Sequence, residues 1–590
     1  MKSGLRLAHP AIKISTTPMS EVISTAPVVA NSVSSAANEP SVEVFAVYGV
    51  EPEIQAYAMA KYSRSSLSMK ESLKEITLQK AEKFLNTFYF QYGHRSIADL
   101  AHIALAIEKL SILAAIVVAD EQRWDGQERS TRYQDFRKSG YFTPKFQNNE
   151  LQNNELQNND LKNNDLQSND LQNNDRSVSS QMTAADAQSL YKETIESLFT
   201  SYEKVSQSTF EYLRSITARP AEMKPDAYER TLRARAFDVS RYLLPLATNT
   251  SLGEIVNART LETQVAHLLA HPNREVRDLG ERLKRAAVTG AYNANEESLR
   301  SLVEDIRSVS PALAERAERE LLREVRVAPT LVKYADPNQY EIKNRKELEQ
   351  AAADLARSAA IDDAPLVDLL DEDGRGQISE SDSFEIELAT TLVYGHCHYS
   401  YRQLRKMIED AGEARRREII DLGLRHRGKH DELPRPFSAG QQFRFDILMD
   451  IGGFRDMHRH RKCVQIMQNF TTAHGFDAPL EVNAAGIRSD YESVINRTAA
   501  AIQKLARSGG EEAAQNAQYA IPLAFRNRTL FKMDFAEAVY ISELRTTPAG
   551  HASYRNVAYA MYEAVAAKYP ALAKYFRVID VREPVDLLKR

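Results

Sequence analysis

Apolar residues along this chain switch between a period of two and a helical period, and the order of the switches occurs twice. Ser41-Val42-Glu43-Val44-Phe45-Ala46-Val47-Tyr48 is a β-rich run closed by Gly49, which predicts a strand. Pro52, flanked by Glu51 and Glu53, predicts a helix through Met59, because Pro and carboxylates both suit a helix N-terminus. Residues 105–119 are almost continuously apolar, and Tyr191, Ile195, Leu198, Tyr202 and Val205 recur at helical spacing, the stripe of a core-packed helix. The second half opens the same way. Residues 366–370 form a short apolar strand, and Asp382-Ser383-Phe384-Glu385 has the spacing of a capping box before a helix over 386–394. Phe443-x-Phe445-x-Ile447 alternates as a strand does, and Leu243-Leu244-Pro245-Leu246 has its counterpart in Ala520-Ile521-Pro522-Leu523. Helical patterns over 297–322 and 346–360 bridge the two units.

This order predicts an α+β fold in two tandem domains, each a mixed sheet packed with long helices. The expected boundaries are a disordered tail over 1–40, a first domain over 41–340, a helical linker over 341–362 and a second domain over 363–590. From Phe146 to Asp175 the chain repeats a pentapeptide: FQNNE, LQNNE, LQNND, LKNND, LQSND, LQNND. A period of five matches neither helix nor strand, so its Leu residues cannot line one face. The stretch 146–180 therefore reads as a solvated Asn-rich loop insertion, which costs little because closure entropy grows slowly with length.

Composition narrows the function. At 590 residues the chain is too long for one ordinary core, and 43% hydrophobic residues suffice for several. No window approaches the roughly 20 apolar residues of a membrane helix, and a net charge of -5 gives no global case for nucleic acid or an anionic membrane. Two cysteines, Cys397 and Cys463, exclude a disulfide framework and point to a reducing, cytoplasmic setting. The first forty residues lack the hydrophobic core of a signal peptide.

The candidate chemistry lies in two unlike halves of one pattern. Arg459-His460-Arg461 is a dense cation cluster, following Phe443-x-Phe445-x-Ile447 and preceding Gln468-Asn469. Guanidinium forks match phosphates and polarised carbonyls. Far upstream, Glu128-Arg129-Ser130-Thr131-Arg132-Tyr133 follows the apolar run. Together these resemble the flavin-dependent thymidylate synthase family, also called thymidylate synthase complementing proteins, whose signature is Arg-His-Arg, seven residues, then a Ser leading into Ser-x-Arg-Tyr. The first half keeps the Ser end and carries Asp120-Glu121-Gln122 where Arg-His-Arg belongs; the second keeps Arg-His-Arg and carries Asn469 at the Ser position. The resemblance covers most of the chain as a fused tandem of two diverged copies.

Residue by residue, the resemblance implies the following roles. Arg459, His460 and Arg461 are cofactor-binding, as are Asn257 and Arg259 of Asn257-Ala258-Arg259, matching the family's Asn-x-Arg. His94 and Ser96 of Gly93-His94-Arg95-Ser96 match its Gly-His-x-Ser, and Gly428-Lys429-His430 offers a stretched version with His430. Ser130, Arg132 and Arg241, the last before Leu-Pro-Leu, are nucleotide ligands. Arg545, in Glu543-Leu544-Arg545, is the substrate-activating Arg, catalytic together with Ser130. The first half lacks that Arg, and the second has Gln518 where the first has Arg241.

The implied chemistry is reductive methylation of dUMP to dTMP. FAD is the cofactor, NADPH the reductant and methylenetetrahydrofolate the one-carbon donor, with composite sites drawn from both halves. Family members are homotetramers with sites between subunits, so a homodimer of this chain would form a pseudo-tetramer. A catalytically inactive flavin- or nucleotide-binding homologue is the alternative. A nucleic-acid module built on Arg415-Arg416-Arg417, 425–430 and 458–462 is disfavoured by the acidic balance. A metal site from His396-Cys397-His398 and His458-x-His460-x-x-Cys463 is disfavoured because no CxxC partner exists. No metal, nucleic-acid or membrane partner is expected.

Overall fold

Two small antiparallel sheets share a three-strand order, to which the second sheet adds one edge strand. The computed structural model describes residues 47, 49–61, 69–75, 95–146, 182–357, 359–370, 380–428, 431, 434–437, 443–509 and 512–588. The first half contains α1 (Pro52–Lys61), β1 (His102–Ser111), α2 (Ile112–Ala119), β2 (Asp125–Glu128), α3 (Ala184–Ile216), α4 (Pro225–Ser240), β3 (Asn249–Asn257) and α5 (Ala258–Leu269). Helix α6 (Gln339–Leu355) leads into β4 (Val367–Leu369), α7 (Glu380–Tyr394), β5 (Phe443–Asp450), α8 (Ile451–Met457), β6 (Val464–Met467), α9 (Arg488–Ala506), β7 (Arg526–Met533), α10 (Phe535–Arg545) and α11 (Ala552–Lys568). The first sheet is ordered β1-β3-β2 and the second β4-β5-β7-β6, with every neighbouring pair antiparallel. The α+β class stands.

The sequence explains why the halves match. Each long strand ends on, or one residue before, a polar residue that caps the next helix, satisfying an otherwise orphaned N–H. Ser111 Oγ accepts from the Ala114 N–H at 3.0 Å, as the Asp450 carboxylate accepts from Gly453 at 2.6 Å. Asn257 caps Thr260 and Asp534 caps Glu537, both at 2.8 Å. These caps align Asp120 with Arg459 and Leu268 with Arg545.

The halves differ in what covers their sheets. On β1, Ile103 and Ile107 are buried while His102 and Ala104 face outward. A bulge at Lys109, φ 60°, resets that alternation and turns Leu110 and Ser111 inward. On β5 both faces are covered, and Arg444 and Asp446 lie under α7. Asp446 accepts from Tyr394 Oη at 2.6 Å, the Tyr401 N–H at 2.7 Å and Arg528 at 3.0 Å, and Arg444 pairs with Glu387. That pairing is what buried charge requires.

From Val50 onward the chain is one compact unit, and its halves meet through a self-complementary segment. Leu246 N–H donates to Ile521 O at 2.9 Å and Leu523 N–H to Leu244 O at 3.0 Å, with Pro245 opposite Pro522. One hydrophobic core runs through both halves, including Ile103, Leu246, Phe445 and Leu523. The predicted stripe Tyr191, Ile195, Leu198, Tyr202 and Val205 is buried on α3.

Boundaries shift where tertiary packing overrides local signals. Helix α7 starts at Glu380, so the Asp382–Glu385 box lies inside it, and α6 starts and ends earlier than 346–360. The expected strand over 41–48, apart from Val47, the tail over 1–40, and residues 147–180 of the Asn-rich insertion lie outside the described residues.

Beside β2, a Cβ built on Gly126 would lie 2.0 Å from Trp124 and 2.3 Å from the Gly253 carbonyl oxygen. Gly126→Ala is therefore expected to destabilise the protein by about 1–3 kcal/mol, as overpacking does. Thermal melts that leave the midpoint unchanged would show that this contact relaxes without cost.

Candidate functional site

The two incomplete signatures converge where the halves meet. Arg132, in the loop after β2, forms a two-point pair with Asp238 at 3.0 and 3.1 Å; its remaining donors reach Tyr554 Oη at 2.8 Å and the Ala549 carbonyl at 3.0 Å in the second half. Asp238 ends α4, and one helical turn on sits Arg241. Arg241 Nε lies 3.4 Å from Asp238 and Nη1 3.6 Å from Asp456 of the second half. Arg241 is 2% exposed, yet its Nε and Nη2 have no hydrogen-bond partner. A buried guanidinium with unfilled donors is a place for an anionic or carbonyl oxygen.

The Arg-His-Arg turn joins α8 to β6 and meets first-half acids. Arg455 pairs with Glu128, and Arg459 lies 3.7 Å from the same carboxylate. Arg461 reaches Asp125 at 2.8 Å and stands 5.6 Å over the ring of Trp124, the only tryptophan in the chain. Arg459 and Arg461 line a cavity of about 190 Å³ whose far wall is Trp124, Gly126, Gln127 and Glu128.

His460 plays a different part from its neighbours. Arg545 Nε donates to His460 Nε2 at 2.8 Å, which leaves the imidazole proton on Nδ1, 3.3 Å from Glu537 Oε1. Burial pushes the His460 pKa below its ordinary value, so the ring is neutral. The arrangement fixes Arg545 at the end of α10, with its guanidinium 5.6 Å from the Tyr554 ring.

Other sequence-derived candidates lie elsewhere or do local work. Ser130 Oγ accepts from the Arg132 N–H at 3.3 Å, which shapes the Arg132 loop. Asn257 spends its side-chain oxygen on the α5 cap, and Arg259 pairs with Asp99 at 3.3 Å; neither lines the cavity beside Arg459. Ser96 falls in the turn Arg95–Leu100, and His94 and His430 lie outside the described residues. In the basic run Arg415-Arg416-Arg417, Arg415 pairs with Glu418 at 2.7 Å and Arg417 with Glu385 at 3.0 Å. Among the described residues no group of three His, Cys, Asp or Glu is placed to hold a metal ion. Burial pushes the Cys397 thiol up to about 11 and Cys463 to about 12, which makes poor nucleophiles of both.

Several groups in the site escaped the sequence. Asp238 stands three residues before Arg241 on one helix face, a spacing that could have flagged it. Burial alone would raise its carboxyl, but His551, Arg241 and Arg132 hold it well below the usual carboxylate range. Tyr554, in the first turn of α11, carried no motif, whereas His551 stands in Gly550-His551-Ala552, which resembles the family's continuation after the Leu-Arg step. Tyr394-Gly395-His396 repeats Tyr92-Gly93-His94 of the first half, and this repeat makes His396, at the end of α7, a candidate that the longer second-half spacing concealed.

Comparison with known proteins agrees with the two-part organisation of the chain. A family model described as thymidylate synthase complementing protein matches residues 47–289 and 382–571, one segment in each half. A UPF0159 protein of Chlamydia pneumoniae is 26% identical over 572 residues, covering 92% of this chain and 93% of its own length. UPF0159 proteins of Chlamydia muridarum and Thermoplasma acidophilum are each 24% identical, covering 92% and 88% of this chain and 92% and 94% of theirs. Among the described residues no helix is long and apolar enough to cross a membrane. With both segments matched and their signature residues brought together, the chain belongs to the thymidylate synthase complementing protein family.

Proposed function

We propose that the chain is a flavin-dependent thymidylate synthase that converts dUMP to dTMP at one composite site per chain. The observation that carries this reading is the convergence of Arg132 and Arg241 from the first half with Arg459 and Arg545 from the second. Arg132 and Arg241 would hold the nucleotide, the latter through its unfilled Nε and Nη2, while Ser130 fixes the Arg132 loop. Arg545 would polarise the pyrimidine, its planar fork aimed by the neutral His460.

The cation wall of Arg459 and Arg461 fits the phosphates of FAD, which Asp120 and Glu121 at the matching first-half positions would repel. Bound FAD would supply the hydride, with NADPH as its reductant and methylenetetrahydrofolate as the carbon source. A cavity of about 190 Å³ falls below the roughly 300–1,000 Å³ of ligand pockets. It would enclose only part of a dinucleotide, and a homodimer forming a pseudo-tetramer would complete the site. Two buried, unpaired cysteines suit a reducing cytoplasm.

Trp124 gives a direct test. FAD added to the full chain should quench its fluorescence, and Arg461→Ala should weaken binding at least about tenfold, a change of about 1.4 kcal/mol, whereas Gln122→Ala should not. Equal, negligible effects, or no quenching at all, would remove the flavin from this cavity. A second reading, a flavin- or nucleotide-binding homologue without turnover, is favoured by one observation: Asp238, Asp456 and Glu128 already partner the cations. Bound flavin with no methylation of dUMP would select it.

A further inference from the structure

Internal duplication gives the composite site a counterpart on the opposite side of the junction, and this counterpart has been chemically inverted. Gln465, Ile466 and Met467 of β6 occupy the places of Gly126, Gln127 and Glu128 of β2, and Asp120 stands where Arg459 stands in the first site. His267 on α5 takes the place of Leu544 on α10. These residues line a cavity of about 820 Å³, roofed by α6 and the segment leading into it.

Both arginines of the lining are already engaged, and Lys343 is its one lysine. Arg435 donates to the Asp120 carboxylate and backbone oxygen, both at 2.7 Å, and to the Gln465 carbonyl at 3.2 Å. Arg345 donates to the Ala270 carbonyl at 2.9 Å. What remains unfilled is a pair of acceptors. Asn344 is 5% exposed, and its Nδ2 is committed to the Gly423 carbonyl at 2.7 Å, which leaves Oδ1 without a partner. Glu341, three residues earlier on the same face of α6, has Oε2 without a hydrogen bond, 3.8 Å from His267. Leu348, Leu392 and Ile466 supply an apolar surface in the same cavity. Burial pushes the His396 pKa down to about 4, so this lining imidazole adds no positive charge near neutral pH.

We propose that this cavity is a second ligand site that takes an unphosphorylated guanine nucleoside, with the ring on the apolar surface and its N–H edge on Asn344 and Glu341. The guanine edge carries a ring N–H beside an exocyclic amino group, two donors for two acceptors that stand one helical turn apart. A phosphate dianion would meet five carboxylates, Asp120, Glu262, Asp336, Glu341 and Asp431, against Lys343 and two already engaged arginines. The assignment uses the duplication of the fold and holds whatever the first site binds.

The test is calorimetric titration of the full chain with guanosine, with GMP, and with guanosine in the presence of dUMP. Guanosine should bind saturably at one per chain, GMP at least about tenfold more weakly, and dUMP should not displace guanosine; tenfold corresponds to about 1.4 kcal/mol. Glu341→Gln, which keeps the shape of the side chain, and Asn344→Leu should each weaken guanosine by a similar factor while circular dichroism shows a folded chain. No saturable guanosine binding, GMP binding as tightly as guanosine, displacement by dUMP, or full affinity in Glu341→Gln would overturn the proposal. Failure of the flavin reading is seen separately, in the Trp124 quenching.

Discussion

Asp238→Ala is expected to lower stability by about 3–5 kcal/mol, the range for removing one partner of a buried ion pair. The loss is large because two guanidinium groups depend on this carboxylate. Arg132 would lose both of its short contacts and Arg241 its nearest acid, each in surroundings where an unpaired charge is costly. Asp238→Asn should lose less, since a carboxamide still accepts. Chemical denaturation of the three proteins checks the order, and an alanine variant within about 1 kcal/mol of wild type would show that solvent reaches the arginines.

The same cluster sets an acid limit. The depressed Asp238 pKa means that its stabilisation is complete above the ordinary carboxylate range and declines as pH falls through it. His551 acts higher. Its Nδ1 accepts from the Ser553 N–H at 3.2 Å, and burial pushes its pKa from 6.5 to about 4. Between those values the unfolded chain binds the extra proton, so this group's contribution to stability falls as pH drops from 6.5 towards 4.

Arg545→Lys should reduce turnover by about 100-fold or more, the usual cost of one well-placed charged donor, while flavin binding persists. Lysine keeps the charge but cannot both donate to His460 and present a planar fork to a substrate. Tritium release from labelled dUMP, with methylenetetrahydrofolate and NADPH, separates the outcomes. Unchanged turnover in the variant would refute the role of Arg545. A wild type that binds flavin but releases no tritium would favour the homologue without turnover.

Local signals carried the elements well and their meeting poorly. The α3 stripe was legible because a helix buries residues at fixed spacing whatever surrounds it. The tandem order was legible because Leu-Pro-Leu and Ile-Pro-Leu survive in both halves. The bulge at Lys109 was hidden, since a positive φ at lysine leaves no trace in composition. The Arg132–Tyr554 and Arg241–Asp456 contacts join residues hundreds of positions apart, and no periodicity encodes such a pair. Two divergent copies could be matched residue by residue only where their capping residues, Ser111 with Asp450 and Asn257 with Asp534, fix the alignment.

The paired Pro245 and Pro522 segments bear on how the molecule is made. Leu244 and Leu246 are fully buried, and their backbone partners, Ile521 and Leu523, lie hundreds of residues further along the chain and leave the ribosome correspondingly later. Contacts so distant in sequence are slow to form, because loop closure comes before any gain from pairing. Until that later stretch has been made, the first half carries an apolar edge whose complement is still missing. Tethering makes that search intramolecular, at an effective concentration that two separate chains would have to match by abundance.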